Sequence, residues 1–253
     1  MQNYRPFATI TVRRRLVHPT KHRRILSVLT RPVEDAEMVP SSKSPTVYSD
    51  NLLDRIAINH LSQSLQASTG IKNNKSGYES LLEAARAAFR GFNPVQQREM
   101  VMQALNKAFP RPILDLIKTL LPNSKLSREY FAVFTTIFFV WLVGPCEVRE
   151  SELNGQRERN VVHIKKCRFL EESNCVGMCT NLCKMPSQTF IKHSLGMPLN
   201  MVPNFDDMSC EMIFGQEPPS TTEDPVYKQA CYKLCKEKQK HNRSCSSLQS
   251  RSS

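Results

Sequence analysis

The first 145 residues of this 253-residue chain contain no cysteine, and all nine cysteines lie between Cys146 and Cys245. A region without cysteine cannot hold a metal through thiolate, so any thiolate chemistry belongs to the second half of the chain. The odd number of cysteines also fits poorly with a fully paired disulfide framework. These absences indicate a support region followed by a metal or redox region.

Motifs of several common enzyme classes are also missing. The sequence has no glycine-rich phosphate loop, no Gly-x-Ser-x-Gly nucleophile elbow and no His-Glu-x-x-His metal motif. Beyond the leader, basic residues are not interleaved with aromatic ones, which argues against nucleic-acid binding. The most apolar segment, YFAVFTTIFFVWLV at residues 130–143, is shorter than the roughly 20 residues of a spanning helix. It is expected to be a buried central helix, with a loop inserted into one membrane leaflet as the alternative.

Acidic residues are absent from residues 1–33, which carry eight Lys and Arg residues. The remaining 220 residues carry 27 basic and 23 acidic residues, so the net charge of +12 comes mostly from this leader. An Arg-rich, acid-free segment without a long apolar run is typical of an organelle transit peptide, and a disordered basic tail is the alternative. Residues 1–45 are therefore predicted to be a transit peptide and a Pro/Ser-rich linker, and composition alone does not separate plastid from mitochondrion.

Residues 46–143 are predicted to form about five helices. Asp50 is a candidate cap for the first helix, and Asn93-Pro94 is a second helix start signal. Apolar residues recur at helical spacing in the first segment, namely Leu53, Ile56, Ala57, Leu61 and Leu65.

The cysteine-rich region, residues 144–235, is predicted to begin with a β-hairpin. Its strands are expected at residues 146–153 and 160–169, and Asn154-Gly155 is a strong signal for the turn. A cysteine-bearing helix and a second extended pair near residues 199–214 follow. Together with the helical region packed against it, this gives an α+β fold, and residues 236–253 are predicted to be a disordered tail.

Seven cysteines are candidate metal ligands. They form the pattern Cys167-x7-Cys175-x3-Cys179-x3-Cys183, followed by Cys210 and Cys231-x3-Cys235. On an α-helix, Cys175, Cys179 and Cys183 fall within roughly 80° of one face. Spacing leaves three interpretations open: a metal or cluster site, disulfides to Cys231 or Cys235, and small side chains packing a helix face. Weaker candidates are His163, His193, Asp206, Asp207 and Glu211, whose alternative roles are core, cap or turn contacts.

Four long strings resemble the plastid β-carotene isomerase family of strigolactone biosynthesis. They are REYFAVFTTIFFVWLVGPCEVR at 128–149, CRFLEESNCVGMCTNLCKMPSQTF at 167–190, NFDDMSCEMIFGQEPP at 204–219 and EDPVYKQACYKLC at 223–235. The resemblance covers most of residues 46–235. It implies a chloroplast enzyme that uses iron, mononuclear or in an iron–sulfur cluster, to interconvert all-trans- and 9-cis-β-carotene.

The resemblance implies roles for the cysteines, although it identifies no catalytic residue. It favours Cys175, Cys179 and Cys183 as iron ligands, with a fourth from Cys167, Cys210, Cys231 or Cys235. Rotation of a polyene double bond requires a transient loss of π bond order, which redox-active iron can cause and zinc cannot. The rival interpretations are a paralogue that acts on another carotenoid and a non-catalytic plastid protein that carries iron or a cluster.

A carotenoid substrate also implies peripheral contact with a plastid membrane or lipid droplet, because a C40 hydrocarbon is not dissolved in water. An apolar tunnel or docking surface is then needed. Candidate lining residues in the apolar segment are Phe131, Phe134, Ile137, Phe138 and Trp141, with core packing as the alternative for each.

Overall fold

A computed structural model describes residues 46–230 of the chain. Within these residues, six helices precede a mixed region that contains a four-stranded sheet. The helices are α1 (Leu52–Thr69), α2 (Gly77–Gly91), α3 (Pro94–Ala108), α4 (Arg111–Leu120), α5 (Lys125–Phe138) and α6 (Val140–Val143). The predicted α+β class is confirmed. The leader of residues 1–45, the candidate ligands Cys231 and Cys235, and the tail of residues 236–253 lie outside the described residues.

The second part of the described chain alternates short helices with strands. Strands β1 (Cys146–Leu153) and β2 (Gln156–Ile164) are followed by α7 (Arg168–Ser173), α8 (Val176–Met178), a π-helical segment (Cys179–Lys184) and α9 (Met185–Leu195). Strands β3 (Leu199–Pro203) and β4 (Cys210–Phe214) come next, and then a 3₁₀ turn (Pro225–Lys228). The strands are antiparallel in the order β1-β2-β4-β3.

Capping residues explain where two of the helices begin. Asn93 accepts hydrogen bonds from the N–H groups of Val95 and Gln96, which confirms the predicted start of α3. For α1 the cap is Asn51, whose side chain accepts from the N–H of Asp54 at 3.0 Å. The prediction of Asp50 as the cap is therefore wrong, because its carboxylate is paired with Arg168.

The β1–β2 hairpin forms around the predicted turn. Asn154 and Gly155 both have positive φ, 52° and 76°, as a type I′ turn requires. The predicted start of the second strand at residue 160 is wrong, because β1 pairs with β2 up to the turn itself, where Leu153 faces Gln156. The predicted end at residue 169 is also wrong, since β2 stops at Ile164.

The apolar segment at residues 130–143 is divided between two helices. α5 ends at Phe138, and α6 begins at Val140, after a non-helical backbone at Phe139. α5 buries Phe131 against the sheet, where its ring stacks on Phe214 at 6.0 Å. The expectation of a buried central helix is only half correct, because the opposite face of α5 is exposed. None of the helices in the described part of the chain is long and apolar enough to cross a membrane.

A buried ion pair holds α5 on the sheet. Arg128 donates two hydrogen bonds of 2.6 Å to Glu158 of β2, whose side chain is 2% exposed. The Arg128 guanidinium lowers the pKa of Glu158. Gly215 leaves room for the Arg128 side chain. The φ of Gly215 is +88°, and a Cβ at this position would lie 2.1 Å from Arg128 Cδ. The pair sets which face of α5 is buried and which faces outward.

One hydrophobic core spans the helical and the cysteine-rich regions. It includes Ala88 and Val101 from the helices, together with Leu170, Val176 and Met212 from the second part. The described residues from Val47 to Ala230 belong to one compact unit. The two regions therefore pack around shared side chains, and several cysteines lie among them.

Candidate functional site

The segment that carries three of the candidate cysteines is not a single α-helix. Cys175 precedes α8 with an extended backbone, φ −145° and ψ 115°, and Cys179 begins the π-helical segment. The prediction of one continuous α-helix that presents three thiols is therefore wrong. Hydrogen bonds in a π-helix run between residues five apart, which widens the turn, and such turns are frequent at functional sites.

Pro186 explains why the helix changes its pitch at this point. It lacks an N–H group, so it cannot donate the regular helical bond to the carbonyl of Leu182, and its ring crowds that carbonyl. The preceding N–H, that of Met185, bonds to Thr180 five residues back. This proline is a signal in the sequence from which the irregularity could have been anticipated.

Four cysteines form a group, here called the thiol cluster, in which Cys167, Cys179 and Cys210 are buried and Cys183 is half-buried. They come from the start of α7, from the π-helical segment and from β4. Electrostatic coupling links them, because charge on Cys167 raises the pKa of each of the other three. The fold thus brings together two of the three predicted helix thiols and two of the proposed fourth ligands.

Burial raises the pKa of every thiol in the cluster and so favours the protonated form. Burial raises the pKa of the Cys183 thiol to about 12, with a further contribution from Cys167. Burial likewise raises the pKa of Cys179 and Cys210 well above the usual range, whereas the Lys184 ammonium acts in the opposite direction on both. Neutral thiols are weak nucleophiles and weak ligands, so a bound cation would have to displace their protons.

The other described cysteines are Cys146 and Cys175. Cys175 is fully buried, and its carbonyl accepts the N–H of Cys179 at 3.1 Å. Cys146 is half-buried at the start of β1, where burial raises its pKa to about 11. No disulfide joins any of the six cysteines between residues 46 and 230.

The donor chemistry of the cluster suits a soft metal, but its described geometry does not form a ligand shell. Thiolates bind iron and zinc, and four thiols share one region. However, no group of three or more His, Cys, Asp or Glu side chains within the described residues could hold a metal ion. The candidate ligands Cys231 and Cys235 lie outside those residues. Iron ligation by this set therefore stays a prediction.

The weaker candidate ligands have local partners. His163 faces Glu211 across β2 and β4, with Nδ1 3.5 Å from Oε1. Asp207 accepts the N–H of Ser209 at 2.8 Å, which is turn chemistry of the kind expected as the alternative. The carbonyl of His193 accepts a hydrogen bond from Lys118 at 3.4 Å.

An apolar cavity of about 70 Å³ lies against the thiol cluster. Helices α1, α2 and α3 form one side, with Ala85 and Ala104 among the lining residues, and Phe169, Leu182 and Cys183 lie on the other. Cys183 is the one titratable side chain among the described residues that line it. Sequence reasoning missed this cavity, because its alanines look like ordinary helix formers.

One buried and one partly buried ion pair hold neighbouring segments around the cluster. Lys184 pairs with Asp224, each side chain being 4% exposed, and Asp224 also accepts the N–H of Val226. Next to Cys167, the Arg168 guanidinium pairs with Asp50.

The Arg168 side chain also joins three helical elements to the start of the described chain. Its guanidinium lies over the ring of Tyr78 at 3.8 Å and over that of Tyr48 at 4.7 Å. It donates to the carbonyl of Trp141 at 3.0 Å. These contacts define what we call the Arg168 cage, which consists of Tyr48, Asp50, Tyr78 and Arg168.

Comparisons with known proteins relate this fold to one family. The family model described as beta-carotene isomerase D27-like, C-terminal, matches residues 141–223. A Medicago truncatula protein named beta-carotene isomerase D27, chloroplastic, is 65% identical over 225 residues, which are 89% of each chain. An Arabidopsis thaliana protein of the same name is 51% identical over 205 residues, covering 80% of this chain and 78% of that protein.

No solved structure matches the chain. Both relatives are named chloroplastic, which confirms the predicted plastid location. The identities extend across most of the length of this chain and of the two relatives, well beyond the strings that carried the resemblance. The chain belongs to the β-carotene isomerase D27-like family.

Proposed function

We propose that this protein is a chloroplast isomerase that rotates one double bond of a carotenoid, converting all-trans-β-carotene into its 9-cis isomer for strigolactone biosynthesis. The observation that carries the proposal is the thiol cluster, found in a chain 65% identical to a protein named beta-carotene isomerase. Three of its thiols are buried and the fourth, that of Cys183, is half-buried where the helical and cysteine-rich regions share a core. This is a dry environment suited to a hydrocarbon and to one-electron chemistry.

The reaction adds and removes no atoms, so the protein must lower the order of one π bond and then restore it. We propose that the reaction depends on iron, held by Cys175, Cys179 and Cys183 with a fourth ligand from Cys167, Cys210, Cys231 or Cys235. Iron bound there would supply a reversible one-electron exchange. The protein's own residues exclude water from the cluster, and burial raises the pKa of the unligated thiols, which disfavours the nucleophilic thiolate form.

An assay with purified protein tests the isomerase proposal. All-trans-β-carotene in detergent micelles is incubated with the protein, and the isomers are separated by chromatography. Formation of 9-cis-β-carotene, absent with heat-inactivated protein, is the expected result. Turnover of a different carotenoid would favour the paralogue, and an unchanged isomer mixture with every carotenoid would favour the non-catalytic iron carrier.

We further propose that α5 contacts the plastid membrane or a lipid droplet from one side. Its outward face carries Leu126, Tyr130, Val133 and Ile137 at helical spacing, and Ile137 is 64% exposed. Phe138, 57% exposed, stacks on Phe134 at 4.4 Å beside this face. A water-insoluble substrate provides the reason to assign a lipid surface to this apolar face.

Replacing Phe138 with Asp is expected to weaken lipid binding without unfolding the protein. The side chain is exposed, so the new charge stays solvated, whereas at a lipid surface it must be desolvated. We expect less protein to sediment with galactolipid vesicles, while the circular dichroism spectrum is unchanged. The matched control is Ile71→Asp, because Ile71 is an exposed apolar residue in the loop after α1. This variant should sediment like the wild type. Equal sedimentation of Phe138→Asp and wild type would contradict the role of α5.

A further inference from the structure

We infer that the apolar cavity beside the thiol cluster is where the polyene binds, and that Cys183 is the cluster thiol that contacts it. This inference rests on the proposed function and deepens it by naming a substrate site. The cavity lies between α1–α3 and the π-helical segment, where the two regions of the chain meet.

The chemistry of the walls suits a hydrocarbon. Apart from Cys183 and Ser187, the described lining side chains are aliphatic or aromatic. A carotene has no hydrogen-bonding group. Charged or strongly polar side chains in the wall of its site would therefore lose their hydration without gaining a new hydrogen-bond partner. This cavity avoids that cost and still places one sulfur on its surface.

The position of Cys183 connects the cavity to the cluster. Cys183 belongs to both, whereas Cys167, Cys179 and Cys210 are buried away from the cavity lining. In the π-helical segment the consecutive residues Leu182 and Cys183 both line the cavity. In this segment a residue of the cavity wall, Leu182, therefore directly precedes a member of the thiol cluster, Cys183.

The size of the cavity indicates how much of the substrate it admits in this form. Its volume of about 70 Å³ is smaller than the roughly 150 Å³ of an apolar cavity that binds benzene. Only the tip of an apolar chain fits without movement. The half-buried side chains of Leu61, Leu105 and Leu142 must therefore shift to admit a longer section.

A cavity-filling variant tests the site. Ala85→Leu adds side-chain volume to the wall from α2, and Ala87→Leu, half-buried on the same helix but outside the lining, is the matched control. Two measurements on the full chain are compared, xenon binding by NMR and turnover of all-trans-β-carotene. We expect Ala85→Leu to lose xenon binding and to lower kcat/KM at least about tenfold with unchanged iron content, and Ala87→Leu to change neither. If Ala85→Leu fails to fold, Ala104→Leu on α3 is used in its place, because its side chain fills the same cavity.

The outcomes separate this inference from the proposed function. If the wild type turns over no carotenoid, the proposed function is contradicted. If the wild type is active and a folded Ala85→Leu variant has the same kcat/KM, the assignment of the binding site is overturned. Cys183→Ala should shift the signal of bound xenon, and Cys146→Ala, outside the cluster, should not. An unshifted signal in Cys183→Ala would show that its sulfur does not border the cavity and would overturn the assignment of the contact.

Discussion

Replacing Cys179 with Ser will lower the iron content and the isomerase activity together, each by about tenfold or more. Cys179 lies in the thiol cluster, where burial raises its pKa and Cys183, Cys167 and Cys210 raise it further. Serine keeps the shape of cysteine, but its hydroxyl is a poor ligand for a metal that prefers sulfur. The variant should therefore fold like the wild type. Iron is measured by elemental analysis and activity by the appearance of 9-cis-β-carotene.

Cys146→Ser is the control for this prediction, since Cys146 is a half-buried cysteine outside the cluster. It should keep wild-type iron and activity. If Cys179→Ser loses iron but remains active, iron is incidental to the reaction. If it keeps both, Cys179 serves only in packing.

Replacing Arg168 with Met is expected to lower the free energy of unfolding by about 3–5 kcal/mol. The guanidinium is 5% exposed and compensates the carboxylate of Asp50, which the variant leaves without its counter-ion. The variant also loses the contacts of the guanidinium with the rings of Tyr48 and Tyr78. The expected fall in Tm is about 6–20 °C for a domain of this size.

Arg149→Met is the matched control, because Arg149 forms an exposed ion pair with Glu147. Such pairs contribute about 1 kcal/mol or less, so its unfolding curve should almost overlay that of the wild type. Denaturant unfolding followed by circular dichroism compares the two variants. Similar destabilisation by both would mean that the Arg168 cage contributes no more than a surface contact.

Local chemistry made some elements predictable from the sequence. Asn154-Gly155 specifies its turn because both residues accept positive φ, and Asn93-Pro94 specifies a helix start because a cap and a first-turn proline need only their neighbours. The hairpin and α3 were predicted for these reasons. Errors at the strand ends arose because pairing depends on the partner strand, which no single segment reveals.

Long-range contacts account for what the sequence did not reveal. Asp50 is a good cap by type, but Arg168 competes for its carboxylate from far along the chain. The position of Cys167 and Cys210 relative to Cys179 and Cys183 depends on how α7 and β4 pack, which spacing along the chain does not reveal.

The apolar segment shows a second limit of sequence reasoning. Composition does not distinguish a side chain that packs in the core from one that faces outward, and neighbouring positions on α5 do both. Phe131 is buried against the sheet, whereas Ile137 is exposed. The cavity was missed for a related reason, since it arises where Ala85 and Ala104 leave space between helices.

The most direct test of the central proposal compares two metals in the same protein. Metal-free protein is prepared anaerobically, reconstituted with ferrous iron or with zinc, and assayed for conversion of all-trans- to 9-cis-β-carotene. Because zinc binds thiolates but has no redox chemistry, we predict that iron restores turnover and zinc does not. Equal turnover by the zinc-loaded and iron-loaded proteins, or full activity without metal, would contradict the iron-dependent mechanism.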